Sequence, residues 1–143
     1  FLHDTLEDTD YTVEELKEDF GGPVADIVIS LSEPKEINDR RLTLLERKKE
    51  YAKQLKKADE KALMIASADK THNFRSVVEE YHDAPDRFIQ DFGPNIEDKI
   101  EGYQNIANVI NSRLKNDIVH EFNNTFTEYK NFLINVQEKS ERY

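Results

Sequence analysis

Apolar side chains recur every three or four residues along most of this chain, which is the spacing of amphipathic helices. The longest such run lies near residues 116–139 and consists of Ile118, Val119, Phe122, Phe126, Tyr129, Phe132, Leu133 and Val136. Alternating strand patterns are nearly absent. The sequence therefore predicts an all-α domain of about seven helices, and it favours a core position for this C-terminal run over a dimer surface.

Residues that favour helix ends divide the first part of the chain. Thr12 and Glu15 have the spacing of a capping box, in which the Thr12 hydroxyl accepts a hydrogen bond from the Glu15 amide. The helix that follows should turn Leu16 and Phe20 inward. It should end at Gly21, because glycine adopts a positive φ at little cost.

A strongly charged segment further along predicts a long helix from about residue 38 to residue 57. Asp59 is placed to cap the next helix, which contains the apolar segment ALMIA at residues 62–66. A helix that is apolar on every face lies in the centre of a fold. This helix continues into Asp69, so we expect the Asp69 carboxylate to emerge from the core into a cavity.

Composition limits the classes of function. The 143 residues have the length of one domain, to which we assign residues 1–143. Thirty acidic and 20 basic residues give a net charge of −10, which argues against a nucleic-acid partner. No run of about 20 apolar residues predicts a membrane span. The absence of cysteine fits a cytoplasmic location and leaves only nitrogen and oxygen ligands for a metal.

Two short motifs carry most of the side chains that metal-assisted hydrolysis needs. In a helix, His3 and Glu7 share one face, and Asp4 and Asp8 share the adjacent face. Asp69, in the later motif ADKTHN, can join His3 and Asp4 around one cation if the two helices pack together. A carboxylate-rich set of nitrogen and oxygen ligands favours Mn²⁺, with Fe²⁺, Zn²⁺ and Mg²⁺ as alternatives.

Such a cation would lower the pKa of a bound water and supply hydroxide at neutral pH. Glu7 or Asp8 could then position or deprotonate that water, and the amide of Asn73 could donate to a phosphate oxygen. A plainer interpretation stays open on spacing alone. In a chain with 35% charged residues, acidic pairs also arise by chance, as at Glu18 and Asp19.

Four segments together resemble a known family. They are LHDTLEDT at residues 2–9, TVEEL at 12–16, FG at 20–21 and ADKTHNFR at 68–75. These look like the HD-domain metal-dependent phosphohydrolases and, more narrowly, their (p)ppGpp hydrolase branch, the RelA/SpoT-type hydrolase domains and small standalone relatives. Residues 1–80 carry the motifs, whereas residues 85–143 match only as helix. The family is all-α, which agrees with the periodicity.

The resemblance implies roles for individual residues. His3 and Asp4 are similar to the family's doublet of metal ligands, and Asp69 is similar to its distal aspartate ligand. Glu7 and Asp8 correspond to the acidic pair that handles the attacking water.

Substrate contacts are implied in the same way. Asn73 looks like the residue that contacts the nucleotide or its phosphate near the metal. Lys70 and Ser76 are weaker candidates for contact with phosphate or ribose.

Two departures from the family pattern affect the expectation. The family has one further histidine ligand on an earlier helix, which here would fall before Phe1, so we expect the sequence to be N-terminally incomplete. The stretch ISLSEPK at residues 29–35 also differs from a Val-Thr-Lys-like stretch in the bifunctional enzymes. This difference points to a small standalone hydrolase with its own substrate preference.

The resemblance implies an enzyme that hydrolyses a nucleotide, with 3′-pyrophosphate release from (p)ppGpp as the leading hypothesis. One alternative keeps the mechanism and changes the substrate: a nucleotidase or general phosphohydrolase that releases orthophosphate. Another is a catalytically silent domain that binds a nucleotide or a protein partner. The sequence leaves a homo-oligomer open.

Overall fold

A computed structural model of the protein describes residue 9 and residues 11–141, and these ranges are mostly helical. Seven helices occur in the described ranges: α1 (Val13–Phe20), α2 (Gly22–Leu31), α3 (Leu44–Lys57), α4 (Glu60–Tyr81), α5 (Pro85–Phe92), α6 (Ile96–Arg113) and α7 (Asp117–Glu141). The prediction of an all-α fold with about seven helices is confirmed. No helix in the described ranges is both long and apolar enough to cross a membrane.

The helix ends that the sequence marks are found where predicted. The Thr12 hydroxyl accepts a hydrogen bond from the Glu15 amide at 3.1 Å, and α1 ends before Gly21, whose φ is +89°. The Asp59 carboxylate accepts from the Ala62 amide at 2.9 Å at the start of α4. Each cap satisfies a backbone group that the first or last helical turn leaves without an intrahelical partner.

The predicted start of the long charged helix is wrong. A two-stranded antiparallel hairpin occupies this segment, with β1 at Glu36–Ile37 and β2 at Arg40–Arg41. Its turn residues, Asn38 and Asp39, have φ values of +52° and +63°. Asparagine and aspartate tolerate this left-handed conformation better than other side chains do, so they form the turn instead of a helical one.

Helix α3 begins only after the hairpin, at a capping box in which both hydrogen bonds are formed. The Thr43 hydroxyl accepts from the Glu46 amide, and the Glu46 carboxylate accepts from the Thr43 amide, both at 3.2 Å. Arg40 of the hairpin binds the same carboxylate at 2.6 Å. The hairpin and the start of α3 are therefore joined through one side chain.

The main core lies between α7 and the helices that pack against it. Phe122, Tyr129, Leu133 and Val136 of α7 are all buried, which confirms the core position predicted for the C-terminal run. The Phe74 ring of α4 stacks on the Tyr129 ring with centroids 4.5 Å apart. Helices α3 and α6 form the other extensive contact of the described part. Helix α4 thus lies centrally, as its apolar segment predicted.

A smaller apolar cluster joins α1 and α2 through Leu16, Ala25 and Val28. The prediction that Phe20 faces inward is wrong, because 49% of this residue is exposed. Phe20 is the last residue of α1, and the chain turns at Gly21 into the next helix. Phe20 is therefore much less buried than Leu16 in the described part of the chain.

Candidate functional site

Helix α4 presents a polar face beyond its apolar first turns, of which Ala62 and Leu63 are buried. Asp69, Asn73 and Ser76 follow one another at intervals of four and three residues, so they share one side of the helix over roughly 10 Å. We call these three residues the α4 polar face. On the opposite side, the buried Thr71 hydroxyl donates to the Ser67 carbonyl at 2.7 Å. One side of α4 is therefore buried, and the other presents polar groups.

A cavity of about 610 Å³ lies beside the α4 polar face, and Asn73 and Ser76 line it. Helices α3 to α7 all contribute to its wall. The other lining side chains that can bear charge or make hydrogen bonds are Arg47, His72, Asp91, Lys99, Tyr103 and Tyr129. We call this space the α4 cavity.

Two cationic side chains face the α4 cavity without a carboxylate to neutralise them in the described ranges. The Nε atom of Arg47 is buried, and no described residue accepts a hydrogen bond from it. Lys99 is only 6% exposed, and burial lowers its pKa, with a smaller opposing effect from Asp98. A buried cation or donor without a partner is costly. An anionic ligand would supply the missing acceptors.

The aromatic wall of the cavity consists of rings in mutual contact. The Tyr103 ring meets the Phe74 ring edge-on at 5.0 Å and the Tyr129 ring edge-on at 5.6 Å. Burial raises the pKa of Tyr129, and the charge interaction with Tyr103 adds to this effect. The Tyr129 hydroxyl therefore stays protonated over the physiological range and can donate a hydrogen bond.

Asp91 is the acidic side chain in the lining of the α4 cavity, and other groups engage it. It accepts a hydrogen bond from the Tyr81 hydroxyl at 2.7 Å, and Arg87 lies 4.0 Å away. This hydrogen bond raises the pKa of Tyr81. Next to it, the Phe92 ring is 48% exposed at the edge of the cavity. The wall thus combines two cationic side chains, for which the described residues form no salt bridge, with an accessible aromatic ring.

Comparison with known proteins identifies the family. The family model described as "HD domain" matches residues 1–92, which is more than half of the sequence. The chain belongs to the HD domain family.

Several curated proteins are similar to this HD domain over part of their length. A guanosine-3′,5′-bis(diphosphate) 3′-pyrophosphohydrolase of Haemophilus influenzae is 40% identical over 79 residues, which cover 53% of this chain and 11% of that protein. The guanosine-3′,5′-bis(diphosphate) 3′-pyrophosphohydrolases MESH1 of Danio rerio and Mus musculus are 37% and 36% identical over 76 residues. Those matches cover 53% of this chain and 39% and 40% of the two proteins. The chain thus spans two fifths or less of these relatives.

The structure brings some predicted site residues of the HD domain together. Asn73 and Ser76 line the α4 cavity, and the half-buried Asp69 lies one turn before Asn73 on the same face. Lys70 does not line the cavity, because its ammonium lies over the Tyr51 ring, 5.1 Å from the centroid. The roles assigned to these four residues stay predictions.

The remaining predicted residues, His3, Asp4, Glu7 and Asp8, lie outside the described residues. HD-domain hydrolases depend on a divalent metal. Within residues 11–141, no group of three His, Cys, Asp or Glu side chains could hold one. Asp69 has suitable chemistry, since a half-buried carboxylate next to a polar cavity is a hard oxygen ligand. The described residues therefore fit a metal only as contributors to a centre that other ligands complete.

Sequence reasoning missed Arg47, Lys99, Tyr103 and Tyr129 as cavity residues. For Lys99 a signal existed. It lies three residues after the buried Ile96 and four before Tyr103, which places a lysine on the inward face of an amphipathic helix. No local pattern distinguishes Arg47, because its environment depends on helices that are distant in sequence.

Proposed function

We propose that this chain is a metal-dependent phosphohydrolase that acts on (p)ppGpp-type nucleotides and releases the 3′-pyrophosphate. Membership of the HD domain family and similarity to proteins named for this activity support the reaction. The observation that carries the proposal is the α4 cavity itself. In a chain of net charge −10, it gathers Arg47 and Lys99 beside the α4 polar face, where an anion can bind.

The metal ligands in this proposal are His3, Asp4 and Asp69, together with the further histidine that the family resemblance implies. Their carboxylate-rich chemistry favours Mn²⁺. A divalent cation bound there supplies two things: a lower pKa for a bound water and polarisation of a phosphoryl oxygen.

The side chains of the chain divide the remaining work. Glu7 and Asp8 hold the attacking water and accept its proton. The water oxygen bonds to phosphorus, the bond from phosphorus to the ribose 3′ oxygen breaks, and pyrophosphate leaves while that oxygen takes up a proton. Arg47 and Lys99 hold the phosphate oxygens, because charge-assisted hydrogen bonds to oxyanions are stronger than neutral ones.

The α4 polar face and the cavity edge orient the nucleotide. Asn73 donates its amide to a phosphate or ribose oxygen, and Ser76 contributes a hydroxyl. Lys70 would have to leave the Tyr51 ring to reach the substrate, so we give it the weakest role of the three. The exposed ring of Phe92 offers a surface on which a base can stack.

The test uses the full natural chain that contains this sequence, loaded with Mn²⁺. It is incubated with ppGpp and with nucleoside mono-, di- and triphosphates, and released pyrophosphate and orthophosphate are measured separately. Pyrophosphate from ppGpp alone is the expected result. Orthophosphate from other nucleotides would keep the hydrolytic mechanism and reject the substrate. No turnover with metal confirmed in the protein would reject the enzyme in favour of a binding domain.

A matched pair of variants tests the cavity as the substrate site. Lys99→Met should raise KM for ppGpp because the buried ammonium is lost, while metal content stays unchanged. Lys61→Met removes an exposed lysine of α4 that does not line the cavity, and it should leave KM unchanged. Equal KM values for the two variants would contradict substrate binding in the α4 cavity.

A further inference from the structure

Lys48 of α3 is a buried lysine that does not line the α4 cavity. It is only 6% exposed, and its ammonium lies 3.0 Å from the Glu33 carboxylate. Glu33 is itself largely buried. A buried ion pair of this kind is weak evidence for stability, since an apolar pair of similar volume is often as stable. The contacts of this pair with the cavity wall point to a role besides stability.

The Lys48 ammonium also contacts the wall of the cavity. It lies over the Tyr103 ring, 4.7 Å from the centroid, and Tyr103 lines the cavity. Burial lowers the pKa of Lys48, but interactions with Tyr103 and Glu33 more than offset this effect and leave the pKa raised. The pair with Glu33 and the contact with Tyr103 thus favour the charged form of this side chain.

The residue before Tyr103 is shaped to accept this lysine. A Cβ atom on Gly102 would lie 2.7 Å from Cγ and 2.8 Å from Cβ of Lys48. Real Cβ atoms essentially never approach other atoms so closely. The absence of a side chain at Gly102 lets the Lys48 stem pass against α6 and reach the next residue, Tyr103.

Glu33 lies in the connection between α2 and the hairpin, at residues 32–35. Within this connection, the Lys35 carbonyl accepts a hydrogen bond from the Leu42 amide at 2.9 Å. Glu33 does not line the cavity, but Lys48 connects it to a residue that does. A change in this segment can therefore alter the cavity wall at a distance.

We propose that Lys48, held by Glu33, is a positioning residue that fixes Tyr103 against the nucleotide in the α4 cavity. The inference rests on the proposed function for the identity of the substrate. Its structural part, the dependence of Tyr103 on Lys48, stands on the described contacts alone.

The first experiment is a double-mutant cycle on ppGpp hydrolysis with Lys48→Met, Tyr103→Phe and the double variant. Lys48→Met should raise KM about tenfold with a smaller change in kcat, which lies within the coupling range of residues in contact. If Lys48 acts through Tyr103, the double variant should be no worse than Tyr103→Phe. Lys48→Arg, which keeps the charge, should restore part of the loss.

A matched control separates this role from a merely structural one. Lys53→Met removes an exposed lysine of the same helix that pairs with Glu50, and it should leave KM unchanged. If Lys48→Met lowers the melting temperature and its effect on KM multiplies with that of Tyr103→Phe, Lys48 is only structural and the proposal is overturned.

A second measurement does not depend on turnover. Tyrosine rings are labelled with ¹³C, and the Tyr103 resonance is assigned by its loss in Tyr103→Phe. Lys48→Met should shift this resonance, whereas Lys53→Met should not. An unmoved resonance overturns the proposal even in an active enzyme. If no nucleotide is turned over, the proposed function fails, and a shifted resonance still supports the link from Lys48 to Tyr103.

Glu33→Gln gives an independent route if Lys48→Met does not fold. It keeps the side-chain volume and removes the negative charge that holds the ammonium. It should raise KM and shift the Tyr103 resonance away from its wild-type position. Wild-type values of both would overturn the proposal.

Discussion

The two parts of the chain contribute differently to the α4 cavity. Residues 1–92, which match the HD domain family, contain every predicted site residue, and all of these except Ser76 lie in the short motifs. Helices α6 and α7, beyond that match, contribute Lys99, Tyr103 and Tyr129 to the wall. The first part specifies a type of chemistry through short, ordered motifs. The second completes the wall of the space in which that chemistry would occur, adding Lys99 to the positive charge of Arg47 from the first part, and it does so without a recognisable motif.

This difference explains why family membership identifies a reaction more readily than a substrate. Motif spacing is local, because it depends on one or two turns of helix. The charge and shape of a cavity are non-local, since they depend on which helices pack together. Lys48 connects the two parts, because it leaves α3 in the matched region and ends against Tyr103 of α6. The two regions therefore line one cavity, and single changes in each should separate their contributions.

The largest effect is expected in the matched region, at Asp69. Asp69→Asn should abolish Mn²⁺ binding and reduce turnover by about 10³-fold or more, because a neutral amide is a much poorer ligand than a carboxylate. Metal content by atomic absorption and turnover of ppGpp measure this. Asp86→Asn, at an exposed aspartate of α5, is the control and should change neither. Full metal content in Asp69→Asn would contradict the assignment of Asp69 as a metal ligand.

The next largest effect is expected beyond the match, at Phe122. This fully buried ring lies 6.1 Å from Phe74 of α4, so it joins the two regions. Phe122→Ala should cost about 3–5 kcal/mol of unfolding free energy, the usual loss for deleting a buried aromatic side chain. Urea unfolding should still show one transition, because both regions share the core. Ile134→Ala, at a residue that is 43% exposed on the same helix, should cost far less. Two separate unfolding transitions would contradict a core shared by the two regions.

A smaller effect should appear as pH dependence of binding. Burial lowers the pKa of Lys99, whereas the pKa of Lys48 is raised. As pH rises toward the ordinary lysine value of about 10.4, Lys99 should lose its proton first, and the affinity for a phosphate group should fall. Calorimetry with guanosine 5′-diphosphate without metal measures this. Lys99→Met should bind weakly at every pH and lose the dependence, whereas Lys61→Met should retain it. If the affinity of the wild-type protein did not change with pH, this would contradict a role for Lys99 in binding the phosphate group.

How much the sequence predicts depends on how local the feature is. The caps at Thr12 and Asp59 were predictable because a cap involves residues three apart. The hairpin was not, since strands of two residues are too short to show alternation and only the Asn38 and Asp39 pair marks the turn. Charge composition misled the prediction there, because charged residues suit helices and exposed hairpins equally well.

The same distinction between local and non-local features applies to the residues of the candidate site. Asn73 and Ser76 reach the cavity because periodicity within one helix fixes their face. The surroundings of Arg47 come from packing between α3 and helices far along the chain, which no spacing rule contains. Lys99 is intermediate: its inward face was predictable, but the absence of a neutralising carboxylate among the described residues was not.

The smallest effect is expected at the start of α3, the helix that carries both Arg47 and Lys48. Thr43→Ala should cost about 1 kcal/mol, because it removes one half of the capping box. The Glu46 carboxylate forms the other half, and hydrogen bonds from Arg40 and then Thr43 lower its pKa to about 2.

Because this folded-state pKa is depressed, the contribution of Glu46 is present above the unfolded value of about 4.3 and is lost as pH falls through about 2. Glu46→Gln should therefore lower the melting temperature slightly at neutral pH, and the difference from wild type should shrink as the solution is acidified. KM should barely change at neutral pH, since Arg47 is held by packing as well as by the cap. A large KM change with little loss of stability would mean that the hairpin, and not the shared core, positions the cationic wall of the cavity.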